Sequence, residues 1–289
     1  MSPPDSPIQV NAAVSVAVPD LEDADELVAT EAEAAIAKAS QSFFIKVLTV
    51  NIHKGFTFFN RKFMLHDLRE AVRAVGADVV FLQEVTGTHA WNESWVANYP
   101  STPHYEFLAE SIWPQFAYGR NAVYTDGHHG NAVLSKFPIV SFENRDISLS
   151  GTERRGMLHC VLQVPGRSLQ VHVICIHLGL TESHRRQQLH MLCTMVQQDI
   201  PASAPVIAAG DFNDWRLRAH EVLAQGASLH EVFVQAHGKA ARTFPARFPL
   251  LCLDRIYVRN AIGHAPVVLP IKPWSHLSDH APLAAEIEL

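Results

Sequence analysis

Six short apolar runs in this chain stop at, or start from, a carboxylate, an asparagine or a histidine. They read VLTVNIHKG with Asn51, VVFLQEV with Glu84, VICIHLGL with His177, VIAAGDFND with Asp211 and Asn213, CLDRIYV with Asp254, and LSDHAPL with Asp279 and His280. A continuous apolar run this short, rich in Val and Ile, reads as a strand covered on both faces. The polar residue at its end then sits at the edge of a packed sheet. Many strands with helices between some of them suggest two sheets packed face to face and flanked by helices.

FIKVLTV and DVVFLQEV read as strands, and MLHDLREAVRAVG between them as an amphipathic helix ended by Gly76. HYEFLAE, GRNAVYT, GNAVLSKFPI, GMLHCVLQVPG and LQVHVICIHL read as further strands, several parted by Gly or Pro turns. TESHRRQQLHMLCTMVQQ reads as a helix with a Thr cap, APVIAAGD as a strand and WRLRAHEVLAQG as a helix. LDRIYVRN and APLAAEIEL close the chain as strands. Neither an internal repeat nor a Pro/Gly linker divides this body.

Residues 1–41 differ in character. The start is Pro-rich, and LEDADELVATEAEAAIAKAS is acidic and Ala-rich. This reads as an acidic, partly disordered N-terminal tail with a weak helix over about 21–39, ahead of a catalytic domain over 42–289. The charge is uneven in the same way. Residues 1–40 carry eight acids against Lys38 alone, which leaves the remainder at +1 within a total of −6. A near-neutral body gives no strong footprint for long nucleic acid. Cys160, Cys175, Cys193 and Cys252 form no CxxC pair and read as buried free thiols, which fits a reducing compartment. The first residues lack a signal-peptide pattern and no run is long enough for a transmembrane segment, so a cytoplasmic location is expected.

Oxygen ligands gathered at one sheet edge suit a hard divalent cation, and histidines beside them suit proton transfer. Gly210 permits a tight turn before Asp211 and Asn213, which could aim together at a water or a metal; GDFND read alone is equally a turn. Asp279 beside His280 would raise the imidazole's pKa and fix its tautomer. Glu84 must meet a cation or an open edge, because an unpaired buried carboxylate is costly. His177 closes its strand in the same way, as a ligand or as a core histidine.

In order, N…QE…HL…GDxN…D…SDH resembles the endonuclease/exonuclease/phosphatase family, without a gap from about 43 to 289. NIHKGFT, YGRNAVY, GHHGNAVLS, FENRD, GDFNDWR and LDRIYV look like its bacterial YbhP-type branch. The resemblance implies a four-layer α/β sandwich of the DNase I type, two mostly antiparallel sheets between helices, with the active site at one end of the sheets. It implies a phosphoesterase using Mg²⁺, or Mn²⁺ in its place, held by Glu84, Asn51 and Asp279. Asp211 and Asn213 would position or activate water, and His280 would contact the phosphate and share in proton transfer. His177 would hold the phosphate or assist the leaving group, and Asp254 would pair with a histidine or bind a second metal.

Two departures stand out. His128-His129-Gly130 occupies a place where several nucleases carry a Tyr or an acid, and Asn131 replaces an apolar residue in that strand. His128 and His129 face a phosphate or form a solvated turn. Arg154, Arg155 and Arg120 are candidate phosphate clamps, since guanidinium forks match phosphate oxygens. A groove of Arg120, Arg154, Arg155, Lys54 and Lys136 would favour DNA or RNA as substrate. An apolar rim of Phe56, Phe58 and Phe59 would favour a lipid or small-molecule phosphoester and a peripheral membrane contact. The near-neutral body leans toward the latter, a fold retained for binding alone is the third reading, and no obligate protein partner is evident.

Overall fold

The computed structural model describes residues 42–57, 62–110, 112–149, 151 and 153–289. The N-terminal tail, its expected helix, and Phe58 and Phe59 lie outside them. Among the described residues, twelve strands form two six-stranded sheets. The first holds β1 (Phe44–Asn51), β2 (Val79–His89), β3 (Gln115–Tyr124), β4 (Gly127–Ser135), β11 (Ile262–Val268) and β12 (Leu283–Glu288), in the order β11-β12-β1-β2-β4-β3. The second holds β5 (Ile139–Asp146), β6 (Gly156–Gln163), β7 (Gln170–His177), β8 (Val206–Asp211), β9 (His230–Glu231) and β10 (Asp254–Arg259), in the order β5-β6-β7-β8-β10-β9. The helices are α1 (Leu65–Val75), α2 (Ala90–Trp95), α3 (His104–Ala109), α4 (Glu182–Gln198), α5 (Ala219–Ala227), α6 (Val232–His237) and the single turn α7 (Ile271–Trp274).

Three apolar clusters make the layers. One, with Val47, Phe81, Val133, Val173, Ile207 and Ile256, fills the space between the sheets. A second seals α4 and α5 onto the outer face of the second sheet, and a third seals α1 and α3 onto the first. Burial on both faces explains why VIAAGD of β8 is buried throughout rather than alternating. Helix α1 buries Leu65, Leu68 and Val72, one stripe at three- and four-residue spacing, and ends on Gly76 in the left-handed region at φ 69°.

Register carries the functional consequence. Within each sheet one central pair is parallel: β1 with β2, where Asn51 faces Gln83, and β7 with β8, where His177 faces Asp211. Parallel neighbours deliver their C-terminal ends to the same edge. β10 and β12 run antiparallel to β8 and β1, so it is their starts that reach that edge: Asp254 faces Asp211, and Asp279-His280 precede Leu283. Strand ends and strand starts therefore meet at one place.

Several local expectations are corrected. HYEFLAE forms α3 rather than a strand, with Pro103 at the helix entrance and His104, Leu108 and Ala109 turned inward. The run containing Glu84 continues to His89. Glu84 sits in a bulge between the pairs Leu82–Ala132 and Val85–Gly130, with φ at 56°. Thr181 stands at the N-cap of α4, but its hydroxyl makes no capping bond. The helix in WRLRAHEVLAQG starts only at Ala219. All four cysteines are free, as expected, but only Cys160, Cys175 and Cys193 are buried; Cys252 is half-buried.

Candidate active site

The edge where the sheets converge is closed by side-chain contacts between them. Asn51 Nδ2 donates to Asp211 Oδ2 at 3.2 Å, linking the first sheet to the second, and lies 3.4 Å from Glu84 Oε1. His280 Nδ1 lies 2.8 Å from Asp254 Oδ2, and its Nε2 is 3.8 Å from Asp211 Oδ2. His177 Nε2 reaches the same Asp211 oxygen at 3.5 Å. Asn51, Glu84, His177, Asp211, Asp254, Asp279 and His280 thus form one linked cluster. The orienting acid of His280 is Asp254, which stands beside Asp211 on the other sheet, and not its chain neighbour Asp279. Asp279 instead reaches His53, whose Nδ1 is 3.6 Å from Asp279 Oδ2 and 3.9 Å from Glu84 Oε2.

The GDFND segment divides its labour. Asp211 Oδ1 accepts from the backbone N–H of Asn213 at 2.9 Å, an Asx turn, and Asn213 itself lies in the left-handed region at φ 49°. Asn213 Nδ2 donates to the Leu178 carbonyl, tying this turn to the loop after His177. Asp214 faces away and caps α5, accepting from the N–H groups of Arg218 and Ala219. Arg255 braces both acids from behind: it donates to the Asp254 and Asp214 carbonyls and lies 3.8 Å from the Asp214 carboxylate.

Burial and charge set the protonation states. Burial works against a charge on His280, but Asp254 and Asp211 outweigh it and lift the imidazole to about 10. His177 goes the other way: burial, reinforced by Arg155 and His280, holds it well below its ordinary value and keeps it neutral. Burial and Asp254 raise Asp211 to about 6 against the opposing pull of His280. Burial would raise Glu84 too, yet Lys54, His53 and Asn51 prevail and keep it ionised. One cation, one neutral imidazole, one carboxyl near neutrality and one firm carboxylate share this edge, a spread of the kind that acid–base chemistry uses.

Two groups of ligand atoms could take a cation. Those of Asp211, Asp254 and His280 lie within 4.8 Å of one another. His280 holds its proton there through Asp254, so this group suits proton handling better than metal binding. The outer group, Glu84, Asn51 Oδ1 and Asp279, offers oxygen alone, with Glu84 ionised. That chemistry fits a hard divalent ion.

The remaining predicted residues divide. His129 and Asn131 share the inward face of β4. Asn131 is buried and bridges the sheets by donating to the Gly156 and Cys175 carbonyls, which accounts for a polar residue in that strand. His128 faces outward, 2.9 Å from the Tyr118 hydroxyl, in a place that Gly87 keeps open: a Cβ there would lie 1.9 Å from the His128 ring. Arg120 pairs with Gly130 on the outer face, exposed and away from the cluster. Arg155 donates to the Leu178 carbonyl beside the site and is paired with Glu153 at 2.8 Å, while Arg154 is exposed. Lys136 is bound to Asp78 at the opposite end of the sheet, so the five-residue basic groove does not form. Phe56 packs on Phe63.

His53, Ser278, Thr243 and Tyr124 receive no role from the sequence. Ser278 donates to the Asn51 carbonyl and accepts from the His280 N–H, pinning the last loop to β1, and Thr243 Oγ1 accepts from the Asp254 N–H. His53, two residues beyond Asn51, was the one detectable by spacing.

The chain is similar to known proteins in sequence and in fold. The Endonuclease/Exonuclease/phosphatase family matches over residues 48–280. Uncharacterized protein YbhP of Escherichia coli K12 is 58% identical over 250 residues, which is 86% of this chain and 98% of that protein; its Shigella flexneri counterpart gives the same figures. Among solved structures, an endonuclease/exonuclease/phosphatase from Beutenbergia cavernae superposes with a TM-score of 0.66 at 19% identity, covering 85% of this chain and 72% of that one. D. rerio TDP2 complexed with single strand DNA product superposes at 0.61 and 19% identity, covering 84% and 98%. At that identity the two structures establish the shared fold. No helix among the described residues is long and apolar enough to cross a membrane.

Proposed function

This chain belongs to the endonuclease/exonuclease/phosphatase family, whose members are generally metal-dependent phosphoesterases or nucleases; from that premise we propose that it hydrolyses a phosphodiester by directing water at phosphorus. The observation that carries this is the Asp254–His280 pair set against Asp211, with Nε2 of His280 3.8 Å from the Asp211 carboxylate. Asp211, raised toward neutrality, accepts the proton of the attacking water. Asn213 fixes Asp211 through its backbone N–H. Protonated His280 donates to a phosphoryl oxygen, where negative charge grows in the transition state, and Asp254 holds it charged and oriented. Neutral His177 offers a second contact, and as the bond from water to phosphorus forms, the P–O bond to one alcohol breaks and the departing oxygen takes a proton from solvent water.

Glu84, Asn51 and Asp279 would hold Mg²⁺, with Mn²⁺ as a substitute, which supplies charge neutralisation and polarisation at the phosphoryl group. The substrate class favoured is a lipid-linked or small-molecule phosphodiester. Three of the cations that would track a nucleic-acid backbone are spent elsewhere or turned away: Arg155 on Glu153, Lys136 on Asp78, and Arg120 on the outer face. Trp91 and Trp95, stacked at 5.5 Å and 60% and 72% exposed, offer a surface for peripheral contact with a bilayer. The TDP2 complex with a DNA product keeps nucleic acid as the second reading.

The test is turnover by purified wild type and His280→Ala on vesicle-borne phospholipids, small diesters, inositol phosphates, single-stranded DNA, plasmid DNA and RNA, with Mg²⁺, Mn²⁺ or EDTA. Metal-dependent cleavage of a lipid or small diester, lost in the variant, is expected. Cleavage confined to nucleic acid replaces the substrate class, and a stable protein that binds no metal and turns over nothing overturns the reading.

A further inference from the structure

β4 places one more titratable side chain over the cleft. Toward the active-site edge its inward residues are Asn131, locked between the sheets, and, one pleat nearer that edge, His129. The charges of Lys54, Glu84 and Arg155 all act on this imidazole, which in turn acts on His177. His129 therefore shares the field of the cluster without belonging to its hydrogen-bond network. Its Nδ1 lies 3.0 Å from the Tyr124 hydroxyl, with the two rings stacked at 5.3 Å and 26°.

Tyr124 is there because of a bulge. Tyr118 and Arg120 pair with Ala132 and Gly130 on the outer face of β3, and a regular strand would put Tyr124 on that face too. The register shifts between Arg120 and Ala122, so that Ala122 faces His129 and the parity of the strand is reversed. Asn121, the extra residue, is held by Asn144 Nδ2 at 3.1 Å. The shift carries Tyr124 to the cleft side.

We infer that Tyr124 is a positioning residue that donates its hydroxyl proton to Nδ1 of His129, so that Nε2–H is presented to the cleft as a neutral donor for an oxygen of the bound phosphoester. Phosphoester oxygens only accept hydrogen bonds, so this is the tautomer that can bind one. Burial favours the neutral ring, holding His129 at about 4, and burial also strengthens the hold of Tyr124 on its proton. The Tyr124–His129 pair thus complements the Asp254–His280 pair: a hydroxyl partner fixes a neutral imidazole, and a carboxylate partner fixes a charged one. The inference rests on the phosphoesterase reading for the ligand, while the tautomer can be observed without it.

The test uses wild type, Tyr124→Phe, His129→Gln and the double variant, each checked for an unchanged thermal melt. Nitrogen NMR of the imidazoles at neutral pH should show His129 protonated on Nε2 in wild type, with mixed tautomers in Tyr124→Phe. With bis(p-nitrophenyl) phosphate and Mn²⁺, Tyr124→Phe should lower kcat/KM about tenfold, the effect of losing one oriented hydrogen bond. Glutamine carries its own N–H to the Nε2 position, so Tyr124→Phe should cost nothing further in the His129→Gln background. Equal losses in both backgrounds, or a wild-type His129 protonated on Nδ1, overturns the inference. Absence of turnover by wild type would overturn the phosphoesterase reading, and the tautomer would still decide this one.

Discussion

Acid should unfold this protein through a histidine remote from catalysis. His104, at the start of α3, is 1% exposed and packed against Tyr99 and Phe63, with ring centroids 5.1 and 5.9 Å away. Neither ring nitrogen has a hydrogen-bond partner among the described residues. Burial, helped by the charge of His89, lowers its pKa from 6.5 to about 3. Between those values the unfolded chain binds a proton that the folded chain refuses. Stability from this residue is thus intact above about pH 6.5 and declines as pH falls, until the folded value is passed. A one-unit shift corresponds to about 1.4 kcal/mol, so going from about pH 7.5 to about pH 4 costs about 3 kcal/mol at this residue. His104→Phe keeps the ring and removes the titration. Other titrating groups are common to both proteins and cancel in the difference. With a urea slope of about 3 kcal/mol/M, the midpoint of His104→Phe should gain about 1 M on wild type between the two pH values. Urea curves by circular dichroism at a series of pH values would show it. Midpoints that fall in parallel would refute the claim that His104 is buried and neutral.

Other outcomes follow from single contacts. Asp254→Asn removes the carboxylate that keeps His280 charged and should lower kcat about 10²–10⁴-fold with a smaller change in KM; added to His280→Ala it should cost little more, because the two act as a unit. Below about pH 6, kcat/KM should fall as Asp211 becomes protonated, and in Asp211→Asn the residual activity should lose that acidic limb. Asp214→Ala should lower stability by about 1–2 kcal/mol through the lost cap of α5, read from thermal melts. Gly210→Ala should be far more damaging, since a Cβ at that φ of 148° would lie 2.0 Å from the Ile176 carbonyl oxygen; soluble yield and melting temperature would report it.

The layered architecture was legible because it depends on a local property, an apolar run ended by a polar residue. What a run cannot state is register. Asp254 and Asp279 are both acids that could orient His280, and only the antiparallel pairing of β10 with β8 brings Asp254 to it. Facing is hidden in the same way: His128 and His129 are alike in sequence, yet the pleat sends one outward to Tyr118 and the other over the cleft. The bulges at Glu84 and Asn121 decide where Glu84 and Tyr124 point, and neither carries a Gly that would announce it. HYEFLAE failed for a different reason. Its aromatic and apolar residues mimic strand alternation, whereas its helix is fixed by packing of His104, Leu108 and Ala109 against the first sheet.

The central claim is water attack at phosphorus by the Asp211 and Asp254–His280 machinery. Hydrolysis of a diester in isotope-labelled water, followed by mass spectrometry of both products, tests it most directly. The label should enter the phosphate-bearing product alone, at a rate abolished by EDTA and reduced at least a hundredfold in His280→Ala. Label in the alcohol, or turnover indifferent to His280, would contradict it.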